Sequence, residues 1–187
     1  PHYGDDWWFT AARAFALAED GAVTDAVPLI ERSIASNPRN ANGAHIRSHV
    51  HYESGEAQAG LAYLDRWLAD YDLMGPLHCH LYWHVALWAL ELGREAEAWH
   101  VVEQHIAPGA SWGPPLNTLT DMSSFLFRAE LAGVARRPEA WTTVARYAGE
   151  CFPKPGLVFA DVHAAMAAAM AGDTAGVARI VEGSAGP

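Results

Sequence analysis

Five glycines recur at near-regular intervals and constrain the fold of this chain more than any other sequence feature. Gly21, Gly55, Gly93, Gly133 and Gly172 are spaced 34, 38, 40 and 39 residues apart. Each follows one stretch with apolar residues at helical spacing and precedes another. Because glycine readily adopts the left-handed conformation that ends many helices, each one indicates the turn of a helical hairpin. The pattern predicts an all-α chain of about five antiparallel helical hairpins stacked as one array.

The predicted hairpins place one helix on either side of each glycine. They comprise residues 6–19 with 24–36, 42–54 with 57–70, 77–92 with 96–106, 116–132 with 138–150, and 157–171 with 174–181. The connectors contain proline or glycine and are too short to separate domains. No run of alternating β-branched residues predicts a strand. We therefore expect residues 1–187 to form a single helical-repeat domain.

Charge and cysteine content argue against several classes of protein. The chain has 12 Lys and Arg against 22 Asp and Glu, a formal charge of −10, and lacks a basic run, so we expect no nucleic-acid partner. No apolar run approaches the roughly 20 residues of a membrane span, so we expect no membrane partner. Two cysteines, Cys79 and Cys151, are too few for a disulfide framework, which favours a cytoplasmic location.

Several short motifs together resemble one family. They are YGDDWWF at residues 3–9, HVHYESG at 49–55, CHLYWHVAL at 79–87, HI at 105–106, DxxSxxxR at 121–128 and FADVH at 159–163. In combination they resemble the tetratricopeptide repeat protein 38-like family over essentially the whole chain. The resemblance implies a tetratricopeptide-like α-solenoid. Because members of that family are longer, it also implies that this chain is the C-terminal portion of a longer repeat protein. It implies no particular activity.

Histidines concentrate on the first helix of the predicted hairpins. In repeat arrays of this kind the first helices line a concave surface. A groove lined by imidazoles, carboxylates and aromatic rings is suited to a polar ligand. The candidate ligand-binding residues of this groove are His49, Glu53, His80, Trp83, His84, Asp121, Arg128 and His163.

Two pairs of histidines have the spacing of one helical turn. His80 and His84 therefore share a helix face, which is the geometry of a helical pair of metal ligands. Buried histidines also commonly donate to a carbonyl or a carboxylate, so structural, ligand-binding and metal-binding interpretations all stay open. We predict no metal or cofactor; His80 and His84 are the pair that would serve if a metal were bound. For His45, His49 and Glu53, at the same spacing, a hydrogen bond on the helix surface is the simpler explanation.

Asp121 and Arg128 lie two turns apart with Ser124 between them, so all three can share one helix face. This arrangement fits either a buried ion pair between hairpins or a clamp for an anion. His51 and His78 lie on other faces of their helices, where we expect exposure to solvent.

No pattern of catalytic residues predicts a reaction. Asp161 and His163 do not share a helix face, and Cys79 diverges by about 100° from its neighbour His80, so neither arrangement predicts a dyad. The chain has no Gly-x-Ser-x-Gly elbow, phosphate loop, dinucleotide fingerprint or Cys-x-x-Cys pair. Whether the protein is an enzyme therefore stays open.

Taken together, these patterns predict a binding or scaffold protein whose concave groove takes a peptide, a protein or a small polar ligand. The alternative is a small-molecule or metal site, with or without catalysis, in the same groove. A purely architectural role for the polar residues is the third hypothesis. If upstream repeats are missing, the first hairpin should expose an apolar face, so a homo-oligomer is a further expectation.

Overall fold

The computed structural model describes residues 2–184, and over that range the chain folds into helices without any strand. The ten α-helices are α1 (Trp7–Glu19), α2 (Val23–Ser36), α3 (Ala41–Glu53), α4 (Ala57–Leu68), α5 (His78–Glu91), α6 (Glu95–Val101), α7 (Pro115–Leu131), α8 (Pro138–Cys151), α9 (Val158–Ala171) and α10 (Thr174–Ser184). The predicted all-α class is confirmed. No helix in this range is both long enough and apolar enough to span a membrane.

The helix ends agree with the sequence prediction to within three residues, provided that the π-helical turn Val102–Ile106 is counted as the continuation of α6. All five turn glycines have positive φ angles, from 68° at Gly55 to 88° at Gly133. Residues with a Cβ atom are disfavoured in this left-handed conformation, which explains why glycine occupies each turn. The predicted helix, glycine, helix order is therefore confirmed at each of the five turns.

The chain divides into two compact units, Pro1–Tyr71 and Asp72–Pro187. The first contains α1 to α4, which form two hairpins, and the second contains α5 to α10, which form three. The expectation of a single domain stays a prediction, and each unit is described by itself.

Small side chains bring the helices of the first unit together. α1 packs against α2 and α3, and α3 packs against α4. Ala11, Ala14 and Ala18 form a fully buried stripe on α1, and Ala26 of α2 is fully buried with them. Such small residues allow close approach of helix axes. The N-terminus of α1 is capped by Asp6, whose Oδ1 atom accepts a hydrogen bond from a first-turn amide at 3.0 Å.

Large aromatic residues fill the second unit. α7 lies between α5 and α9, α6 packs against α5, α8 packs against α7 and α9, and α10 packs against α9. Trp88, Trp141 and Phe125 are almost completely buried, and Trp99 meets the ring of Phe125 edge-on at 5.2 Å. These tryptophans belong to the core of the second unit.

The last turn of the third hairpin departs from α-helical geometry. α6 continues directly into a π-helical turn, Val102–Ile106. His105 lies within this turn and stacks on Tyr82 of α5 with ring centroids 3.6 Å apart and planes 6° from parallel. The wider turn thus carries a side chain that packs back onto the first helix of its own hairpin.

Candidate functional site

The first unit places two histidines of α3 beside a carboxylate of α1. His45 and His49 lie one turn apart, and their Nε2 atoms are 2.9 Å from each other. On the other side of its ring, His49 donates from Nδ1 to Oε1 of Glu19 at 3.0 Å. Because an ionised carboxylate only accepts hydrogen bonds, this contact puts the proton of a neutral His49 on Nδ1 and its lone pair on Nε2.

Packing between α1 and α3 positions Glu19. It is the last residue of α1, and Phe15, one turn earlier, meets the His49 ring edge-on at 5.0 Å. The bond expected along α3 joins His45 and His49, whereas Glu53 is exposed at the end of α3 and the carboxylate that His49 bonds is Glu19. Glu19 was not among the residues predicted from the sequence. The one sequence feature that points to it is its position one turn after Phe15, on the same helix face.

The second unit has an equivalent arrangement on α5. His80 donates from Nδ1 to Oδ1 of Asp121 on α7 at 2.9 Å. Asp121 is only 3% exposed, and its other oxygen accepts a hydrogen bond from Sγ of Cys79 at 3.5 Å. His84 follows one turn after His80 and is buried; its ring nitrogen lies within 4.8 Å of that of His80. The buried carboxylate thus orients the first imidazole of this pair too.

The thiol of Cys79 is not a nucleophile at neutral pH. Burial, and then the nearby charge of Asp121, raise its pKa above the usual range. A thiol of this kind stays protonated and unreactive. Cys79 and His80 do not bond each other, as expected for neighbours on a helix, yet both donate to the same carboxylate.

An aromatic ring and a cation extend the α5 site. Trp83 stacks on His80 with ring centroids 5.2 Å apart and planes 13° from parallel. The guanidinium of Arg128 lies over the Trp83 ring, 5.8 Å from its centroid, and Nε of Arg128 donates to Oγ of Ser124 at 3.2 Å. Asp121 thus meets another hairpin through His80, whereas Arg128 bonds Ser124 of its own helix.

Five of the eight candidate residues therefore lie together in the second unit: His80, Trp83, His84, Asp121 and Arg128. His163 belongs to the same unit but donates from Nδ1 to the carbonyl of Phe159 on its own helix, at 2.7 Å. Asp161 accepts a hydrogen bond from the amide of Gly156, so it does not pair with His163, as expected.

Two histidines expected in solvent are buried. His51 is 8% exposed and contacts Oε2 of Glu56 at 3.0 Å, while His78 is 2% exposed and packs on Tyr82 at 4.7 Å. The exposure prediction is wrong for both, because α3 and α5 are covered on more than one face. Burial lowers the pKa of His51 and of His78, and it lowers the pKa of His105 to about 4.

No protein-family model matches this chain, and no solved structure matches it either. The resemblance to the tetratricopeptide repeat protein 38-like family therefore rests on the sequence motifs and stays a prediction.

Proposed function

We propose that this protein binds divalent transition-metal ions through two histidine pairs, His45 and His49 on α3 and His80 and His84 on α5. One observation carries the proposal: the Nε2 atoms of His45 and His49 lie 2.9 Å apart while Glu19 accepts the Nδ1 proton of His49. Two nitrogen ligands of a tetrahedral zinc ion, each about 2.0–2.1 Å from the metal, lie about 3.3 Å apart. A small rotation of either ring reaches that separation.

The carboxylate partners support this proposal. A histidine that binds a metal through one ring nitrogen usually donates from the other to a carboxylate or a carbonyl, which fixes the tautomer and makes the ligand more basic. Glu19 stands in this relation to His49, and Asp121 stands in it to His80. One histidine of each pair is thus bonded to a carboxylate of another helix, Glu19 of α1 for His49 and Asp121 of α7 for His80.

Ligand type restricts the class of metal. Imidazole nitrogens suit zinc, copper, nickel and iron, whereas magnesium and calcium prefer oxygen ligands. Cys79 is not counted as a ligand, because its thiol is buried against Asp121 and its pKa is raised. Zn²⁺ is therefore a suitable probe. Imidazoles bind metal in their neutral form, so the ion competes with protons for the ring nitrogens.

The test is a competition titration of chelator-treated protein with Zn²⁺ and a zinc indicator. We expect the double variants His45→Gln/His49→Gln and His80→Gln/His84→Gln each to lose one of the two zinc sites of the unmodified protein, because the altered pair should bind zinc at least tenfold more weakly. The matched control, His100→Gln/His163→Gln, removes two histidines outside both pairs and should bind as the unmodified protein does. Equal zinc stoichiometry and affinity in all four proteins would overturn the proposal, and circular dichroism checks that each variant is folded.

A second candidate function is that of a tetratricopeptide-like scaffold that binds a peptide, a protein or a small polar ligand. Within each unit the first helices of successive hairpins pack side by side, α1 on α3, α5 on α7 and α7 on α9. This pairing is typical of helical repeats and supports a solenoid of the tetratricopeptide type. Exposed aromatic side chains on these helices are available to a partner: Trp8, Tyr52, Phe127 and Phe159.

Selection of peptides from a displayed library tests this second candidate. Phe127→Ala and Phe159→Ala, both in the second unit, should each weaken binding of a selected peptide, while alanine at the exposed Leu73, outside the helices, should not. Failure to select any peptide, or equal binding by all three variants, would count against a peptide-binding scaffold. A cytoplasmic location is part of this proposal, supported by Cys79 and Cys151, which are both free thiols.

A further inference from the structure

Resting on the metal binding proposed above, we infer that the α5 site takes a small anionic ligand. The anion is a carboxylate or phosphate group whose oxygen atoms bind both the metal ion on His80 and His84 and the guanidinium of Arg128. Arg128 is thus the protein group that binds the anion beside the metal ion.

The contacts between α5 and α7 define the relative direction of these two helices. Asp121 of α7 meets His80, while Arg128, two turns further along α7, meets Trp83, one turn further along α5. The two helices therefore run in the same direction. Trp83 itself lies 5.2 Å from the ring of His80 and 5.0 Å from that of His84. The cation thus lies one aromatic ring away from both imidazoles.

Neighbouring side chains hold Arg128 in place, but no carboxylate of residues 2–184 neutralises its positive charge. Its Nε bonds the hydroxyl of Ser124, and its guanidinium lies over the face of Trp83. No carboxylate of residues 2–184 forms an ion pair with it, whereas Arg47 and Arg137 are paired with Glu31 and Glu103. An arginine oriented in this way presents its remaining N–H groups as a fork that matches carboxylate and phosphate oxygens.

A metal ion on His80 and His84 has room for oxygen ligands. Two imidazoles fill only part of the coordination sphere of a transition metal, and oxygen ligands complete it. An anion that bonds the metal through one oxygen and Arg128 through others makes charge-assisted contacts on both sides. The net charge of the chain is −10 and opposes anions in general, so any tight anion binding must come from local cations such as these.

The test uses protein loaded with Co²⁺, whose visible absorption reports the ligands of the metal. Succinate and methylphosphonate are titrated separately, and at least one should change the spectrum saturably; the tighter one identifies the class of anion. Arg128→Gln should raise the anion dissociation constant at least tenfold and leave Co²⁺ affinity unchanged. Arg66→Gln, at an exposed arginine of α4, is the matched control and should bind the anion as the unmodified protein does.

The two proposals fail in different ways. If Co²⁺ affinity does not depend on His80 and His84, metal binding at α5 is wrong. If that dependence holds but neither anion changes the spectrum, or Arg128→Gln binds the anion as tightly as Arg66→Gln, the anion inference is overturned and the metal site stands.

Discussion

Asp121 of α7 accepts the Nδ1 proton of His80 of α5 at 2.9 Å while only 3% of the aspartate is exposed. A carboxylate removed from water is costly unless its oxygens are hydrogen-bonded, and both oxygens here have donors, His80 and Cys79. The pair therefore joins two hairpins of the second unit and sets the tautomer of a candidate metal ligand at the same time.

Asp121→Asn tests both roles of this contact. The amide keeps the shape of the side chain but loses the negative charge, so it holds the His80 proton on Nδ1 less strongly. We expect the variant to lose about 10–100-fold in zinc affinity and about 1–3 kcal/mol in unfolding free energy. Zinc competition and urea denaturation measure the two effects. Asp161→Asn, at a buried aspartate bonded to the amide of Gly156, should lower stability without changing zinc affinity.

Glu19→Gln separates metal binding from stability in the first unit. The side chain of Glu19 is 47% exposed, so its bond to His49 adds little to folding, and we expect a change of at most about 1 kcal/mol. Zinc binding should nevertheless weaken about tenfold or more, because the orientation and basicity of His49 depend on this carboxylate. Glu53→Gln, at the carboxylate one turn from His49 on α3, is the control. Identical zinc affinities for the two variants would show that Glu19 has no such role.

Three histidines have pKa values that are lowered by burial, and we therefore expect the protein to lose stability in mild acid. His105 has a pKa of about 4 in the folded protein and about 6.5 when unfolded. Between these values the unfolded chain binds more protons, so the free energy of unfolding falls as the pH drops from about 6.5 towards 4. His51 and His78, whose pKa values are also lowered by burial, act in the same direction.

His105→Phe keeps an aromatic ring for Tyr82 to stack on and removes one titrating group. Melting temperatures at several pH values between 4 and 7.5 should therefore fall less steeply for this variant than for the unmodified protein. Above pH 7 both proteins should show little dependence. Parallel curves over the acid range would mean that His105 is not held neutral by its surroundings.

Two glycines of different backbone conformation give a further matched comparison. Gly93 ends α5 with φ of 73°, so alanine there is strained, and we expect Gly93→Ala to cost about 1–2 kcal/mol. Gly149 lies within α8, and a Cβ atom there would meet no other atom within 4 Å. Gly149→Ala should therefore stabilise the protein by about 0.5–1 kcal/mol. Thermal or urea denaturation of both variants checks the opposite signs.

Helices and turns were predictable from the chain because their causes are local. A glycine such as Gly133 marks a left-handed turn wherever it occurs, and apolar residues at helical spacing mark the buried face of each helix. The two histidine pairs were visible for the same reason, since one helical turn places His45 next to His49 and His80 next to His84 whatever surrounds them. The sequence alone thus determined the all-α class, the ten helices and the candidate ligand pairs.

The partners of these histidines depend on tertiary structure. Asp121 was expected in an ion pair between hairpins or in an anion clamp with Arg128, but it bonds His80 of α5, and His49 takes its carboxylate from Glu19 on α1 instead of Glu53. The burial of His78 depends equally on which helices cover α5. Spacing along one helix determines which side chains share a face, whereas packing between helices determines what that face meets. The two histidine pairs could therefore be predicted from the sequence, whereas the carboxylates that bond them depend on how the helices pack.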